Sequence, residues 1–397
     1  MLPRRRMRPR FKLPITGLST KRPINYSQWG GFTLIELLVA TTVLLLIMAL
    51  VLSMTDQTSK VWRSSTAKIQ SFQGARAAYD TMTARLRQAT LNTYLDYYDN
   101  ETPPEPRNPS NGSSFVPYYY ARDSDLHFVV DQCSNIFTGT PALHPAHAVF
   151  FQAPMGFTTT SSYGPMQNML NACGYYVEFN TDKPSFPPFL GSSTVVHERY
   201  RYRLMEFLQP SEANTIYKYP YPVNGTPALY DQWFENFLPT TTSQVNSPTT
   251  GAPYHVLAEN IIALIISPEL ASSDQSIAPN YTYDSRAGTI TNVYHHQLPP
   301  LLRVVMVAID EPSAIRLIPD GTTTAPTFIS TLFQGTTKLF QTPYNPPFNA
   351  SAPVSNPPPN NLDADLNTLS QVLIAHKVNY RIFDTDIAIR GAKWSTQ

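Results

Sequence analysis

The segment Phe32–Leu52 reads FTLIELLVATTVLLLIMALVL, and it constrains the chain more than any other feature. As a helix its 21 residues span about 31 Å, the thickness of a bilayer's hydrocarbon core. It carries one charge, Glu36, in its first turn. A carboxylate at the head of a membrane span is costly and demands a function. Secretory signals do not place an acid at the start of their apolar core. Residues 1–31 hold eight basic residues (Arg4, Arg5, Arg6, Arg8, Arg10, Lys12, Lys21, Arg22) and no acid. A basic segment before an apolar run sets the N-terminus on the cytoplasmic side.

The formal net charge of +1 therefore sums two unlike parts. Eight of the 29 basic residues precede the apolar run, which leaves 21 against 28 acids, a formal −7 for the remainder. A mildly acidic body repels phosphate, so no nucleic-acid partner is expected. Charged residues make up 14% of the chain, against a usual quarter, and 37 prolines, 23 tyrosines and 20 phenylalanines accompany many Ser, Thr and Asn. That mix suits a β-rich exported body with long polar loops.

No proline occurs between Pro23 and Pro103, so the helix is expected to continue past the membrane. Phe72, Ala75, Tyr79, Met82, Leu86 and Ala89 recur at spacings of three and four, one apolar stripe for packing on the body. The expected domains are a basic leader (1–31), a transmembrane helix (32–52), an amphipathic continuation (53–98) and a β-rich body (99–397).

In the body, strands are expected at Leu126–Val130, Ala148–Gln152, Tyr175–Phe179, Tyr200–Leu208, Ile261–Ser267, Leu301–Ile309 and Val378–Ile389. Short helices are expected at Asp231–Leu238 and from Asp363, read as an N-cap, with Leu366, Leu369 and Leu373 on one face. Segments 99–114, 239–253 and 343–361 read as loops. The fold class is α+β: a long N-terminal helix on an antiparallel sheet.

Cys133 and Cys173 are the only cysteines. In an oxidising compartment they could close a loop of about 40 residues, worth roughly 3–4 kcal/mol, or remain two buried thiols. No GxSxG, HExxH, P-loop or GxGxxG pattern is present, so no catalytic residue and no cofactor is expected. His144 and His147 flank a loop proline. His295 and His296 are adjacent, so on a strand they would face opposite ways. Asp363-x-Asp365-x-Asn367 lacks the glycine a calcium loop needs, and Asp384 and Asp386 read as a solvent-facing pair. No metal ligand set is expected from any of them.

The stretch Gly30-Gly31-Phe32-Thr33-Leu34-Ile35-Glu36-Leu37-Leu38-Val39-Ala40 closely resembles the class III signal of type IV pilins and type II secretion pseudopilins. That resemblance implies cleavage between Gly31 and Phe32 by a prepilin peptidase and N-methylation of the new Phe32 amine. It also implies a role for Glu36 in docking beside other pilins or pseudopilins in a filament. The expected location is the inner membrane, single-pass, with the C-terminal body periplasmic. Val256–Ile261 and Leu298–Val307 resemble core segments of the J-type minor pseudopilins. Ala75–Met82, Ala89–Asp99 and Arg390–Ser395 look like the Verru-Chthon cassette protein C family, whose members are large prepilin-like proteins. The implied protein is a minor subunit with long insertions and no enzymatic activity. The competing expectation is a membrane-anchored exported glycan-binding protein or hydrolase.

Overall fold

The computed structural model describes residues 31–397 except 103, 108–111, 165, 167, 188, 190–195, 219–230, 271–274, 277, 279, 287–293, 335–337, 342–360 and 395–397. The basic leader and nearly all of the loop expected at 343–361 lie outside the described residues. The chain divides into two compact units, Met1–Val61 and Trp62–Gln397.

The first long element is helix α1, Leu34–Leu86. In the first unit every described side chain is exposed, and the segment from Leu34 is apolar and long enough to cross a membrane, as a signal sequence also can be. Its threonines return their hydroxyls to the preceding turn: Thr41 to the Leu38 carbonyl (3.0 Å), Thr42 to Val39 (2.8 Å) and Thr55 to Val51 (2.8 Å). Each of these hydroxyls is thus satisfied within the helix, the condition for a segment in hydrocarbon.

In the second unit the α1 stripe behaves as its spacing dictates. Ala75, Ala78, Tyr79, Met82 and Leu86 are buried, with Phe72 partly so. The Tyr79 hydroxyl donates to the Val304 carbonyl at 2.7 Å. The helix does not reach 98. Short 3₁₀-type bonds from Gln88 N to Arg85 O and Ala89 N to Leu86 O close its last turn, and Thr90 N then donates to Gln152 O. The chain next forms strand β1, Tyr94–Tyr98, paired antiparallel with β2, Tyr119–Asp123. The aromatic residues of YLDYY and YYARD favour a pleated ribbon over a helix, which overrides the absence of proline.

The remaining elements of the body are, in chain order, β3 Val129–Gln132, α2 Cys133–Ile136, β4 His147–Pro154, β5 Leu170–Thr181, β6 Tyr200–Gln209, α3 Gln232–Glu235, α4 Thr242–Asn246, β7 Tyr254–Glu259, β8 Ile261–Leu270, β9 Gln275–Ser276, β10 Tyr283–Asp284, β11 Leu301–Ile309, α5 Glu311–Leu317, α6 Thr327–Gln334, α7 Asn361–Ala375 and β12 Tyr380–Ala388. An antiparallel six-stranded sheet runs β10-β3-β4-β5-β6-β7, and a four-stranded one runs β12-β11-β8-β9. The chain passes between them at Asn260, whose φ of 63° makes a left-handed corner that asparagine tolerates.

Both faces of the six-stranded sheet are covered. Val149, Phe151, Cys173, Tyr175, Val177 and Leu204 face the main core, which also holds the α1 stripe, β8, β11 and α7. The alternate residues Phe150, Ala172, Tyr176, Met205 and Phe207 face a second core closed by Phe137, Trp233 and Phe234. Gly174 lies where these layers meet: a Cβ there would sit 2.3 Å from the Phe150 ring, so no side chain fits.

The fold is α+β, as expected, with all seven anticipated strands present, β11 in the anticipated bounds and the other six in shifted ones. Asp363 is not the cap of α7, which begins at Asn361. Asp363 lies in the first turn and pairs with Arg303 at 2.8 Å. The expected loop 239–253 contains α4, opened by a Thr241–Gln244 capping box.

Candidate functional site

At the start of α1, Gly31 and Phe32 are exposed, Phe32 to 85%. Thr33 caps the helix. Its backbone N–H and its hydroxyl each donate to Glu36 Oε2 at 2.9 Å, and the Glu36 N–H donates to Thr33 Oγ1 at 3.3 Å. This reciprocal arrangement is a capping box, and it satisfies helix-end donors that have no partner within the helix. Glu36 thus points back towards the chain's Phe32 end, where cleavage after Gly31 would expose an amine. The pilin-like motif gives Thr33 no role, although T-x-x-E ahead of an apolar run is the signature of this capping box.

The second unit gathers polar groups that the sequence does not connect. His127, Asp231 and Asp284 come from three distant segments, and one ligand-capable atom of each lies within 4.8 Å of the others. His127 is fully buried, while the Asp231 and Asp284 side chains are 26% and 13% exposed. Trp233 Nε1–H donates to His127 Nδ1 at 3.1 Å. Because an indole only donates, the neutral imidazole carries its proton on Nε2, 2.5 Å from Asp284 Oδ1. The Arg286 backbone N–H also donates to Asp284 Oδ1 (2.8 Å). Asp231 Oδ1 is buried with no hydrogen-bond partner among the described residues and stands 3.7 Å from His127 Nδ1. Burial, with Asp284 and Glu235 adding like charge, pushes the Asp231 carboxyl up to about 8.

Glu206, 2% exposed on β6, is a second hub. It pairs with Arg85 from the last turn of α1, accepts the Tyr175 hydroxyl at 2.6 Å, and meets His255 Nε2 at 3.1 Å.

The remaining candidates are placed apart. Cys133 and Cys173 are free, buried and not bonded to each other. Cys133 belongs to the second core and Cys173 to the main core, on opposite faces of the sheet, which corrects the possible disulfide. Burial raises both thiols well above their ordinary pKa. His144 stacks on Phe137 and pairs with Glu178 at 3.1 Å, whereas His147 lies between the Phe340 carbonyl and the Ile266 N–H. His295 and His296 sit in a turn with rings 4.2 Å apart, not on opposite faces of a strand. Asp384 pairs with Arg303 at 2.7 Å, and Asp365 accepts the Phe340 N–H at 2.8 Å.

No family model, no curated protein and no solved structure matches this chain.

Proposed function

We propose that this protein is a minor pilin or pseudopilin, a structural subunit of a type IV pilus-like filament or type II secretion pseudopilus. A prepilin peptidase cuts it between Gly31 and Phe32, and the new Phe32 amine is N-methylated. The helix from Leu34 anchors it in the inner membrane, with the body in the periplasm, until it joins other prepilin-like subunits. The observation that carries this reading is Glu36, an acid in the first turn of α1, four residues after Phe32, in a segment that is otherwise apolar and exposed as far as Leu52. In hydrocarbon a carboxylate is tolerated when a cation meets it. The amine created at Phe32 of a neighbouring subunit is such a cation.

A second reading, a membrane-anchored glycan-binding protein, is favoured by the β1–β2 ribbon. Tyr97 and Tyr120 face each other across it with rings 5.0 Å apart, and both are exposed, as is Tyr118. Crosslinking to sibling prepilins in membranes separates the two. With Glu36→Gln, incorporation beside siblings should fall about tenfold or more, equivalent to ~1.4 kcal/mol. Unchanged crosslinking would favour the anchored binding protein.

A further inference from the structure

We propose that His127 and Asp231, with Asp284 as the group that orients the imidazole, form a binding site for a zinc-like divalent metal ion in the periplasmic body. The donor chemistry selects the class. One imidazole with carboxylates suits zinc and its neighbours, whereas calcium takes six to eight oxygens.

The spacing agrees. His127 Nδ1 and Asp231 Oδ1 are 3.7 Å apart, too far for a hydrogen bond and right for an ion about 2.1 Å from each. Asp231 Oδ1 is buried and has no hydrogen-bond partner among the described residues, a costly state for a carboxylate oxygen and one that a cation relieves. On the other side of the ring, the Nε2–H to Asp284 contact of 2.5 Å is the carboxylate–histidine arrangement that fixes a metal-bound imidazole. The two carboxylates together balance a divalent charge, and water completes the coordination.

One group competes. Trp233 Nε1–H uses the Nδ1 lone pair and must turn away when the ion binds. That contact makes Trp233 a reporter.

Isothermal titration of zinc chloride into the full-length protein in detergent tests the site, with tryptophan fluorescence followed in parallel. The expected result is saturable 1:1 binding with a fluorescence change. Asp231→Asn and Asp284→Asn should each weaken binding at least about tenfold. Trp233→Phe removes the competing donor and should bind zinc at least as tightly as the wild type, without the larger part of the optical change. Binding unaltered by Asp231→Asn, weaker binding in a folded Trp233→Phe variant, or no saturable binding by the folded wild type would each overturn the assignment.

Discussion

Replacing Arg85 with methionine is expected to cost the folded body about 3 kcal/mol at neutral pH, within the range for breaking a buried ion pair from one side. Methionine keeps the packing of the stem and deletes only the guanidinium. Glu206 would keep its contacts with Tyr175 and His255 but lose the cation that α1 brings to the sheet. In the wild type, burial pushes the Glu206 carboxyl up, but the bonds from His255, Tyr175 and Arg85 outweigh it and hold the pKa below the ordinary value. A depressed folded pKa contributes stability that is present above the ordinary carboxylate pKa and is lost as pH falls through the folded one. Without Arg85 burial dominates, and the penalty should shrink on acidification, when Glu206 can take a proton. Urea midpoints of wild type and variant at pH 7 and pH 5 give the comparison. A difference below about 0.5 kcal/mol at pH 7 would mean that the pair is no more than a surface contact.

Acidification should also destabilise the body through His147. Its ring is wholly buried, Ile266 N–H donates to Nδ1 at 3.1 Å, and Nε2–H therefore donates to the Phe340 carbonyl at 3.0 Å. A second ring proton would face an N–H. Burial lowers the His147 pKa to about 4, against an ordinary 6.5. The unfolded chain therefore binds the proton first. The stability held by neutral His147 is complete above pH 6.5 and drains away as pH falls towards 4, a loss of ~3 kcal/mol by linkage. Burial lowers His295 to about 4 as well, and pushes His296 well down, so their losses add. His147→Gln should flatten the pH dependence by about one proton in denaturant titrations between roughly pH 7 and pH 4.5. A slope identical to wild type would show that the ring titrates freely in the folded body.

Much of this architecture is legible in the sequence because it depends on local periodicity. The stripe from Phe72 to Leu86 follows from spacings of three and four, and β11 is readable to the residue because Leu301–Ile309 is a nearly continuous apolar run. The β1–β2 ribbon is not legible. Tyr94–Tyr98 continues the helix without a glycine or proline, and only the turn at Gln88–Ala89 and the Thr90–Gln152 bond redirect it. Thr33 is visible as a capping box yet overshadowed by its neighbours. The His127 cluster cannot be read, because His127, Asp231 and Asp284 have no spacing in common and meet only once β3, α3 and β10 pack. The cysteine pair fails for a related reason: a loop length permits closure, but the face of a sheet on which each thiol falls decides it.

Everything proposed for assembly begins with a new amine at Phe32, so the direct measurement is the mass of the mature N-terminus in native membranes. The predicted species starts at Phe32 and carries one N-methyl group. A chain that still begins at Met1, or one cut between residues 50 and 60, would contradict it.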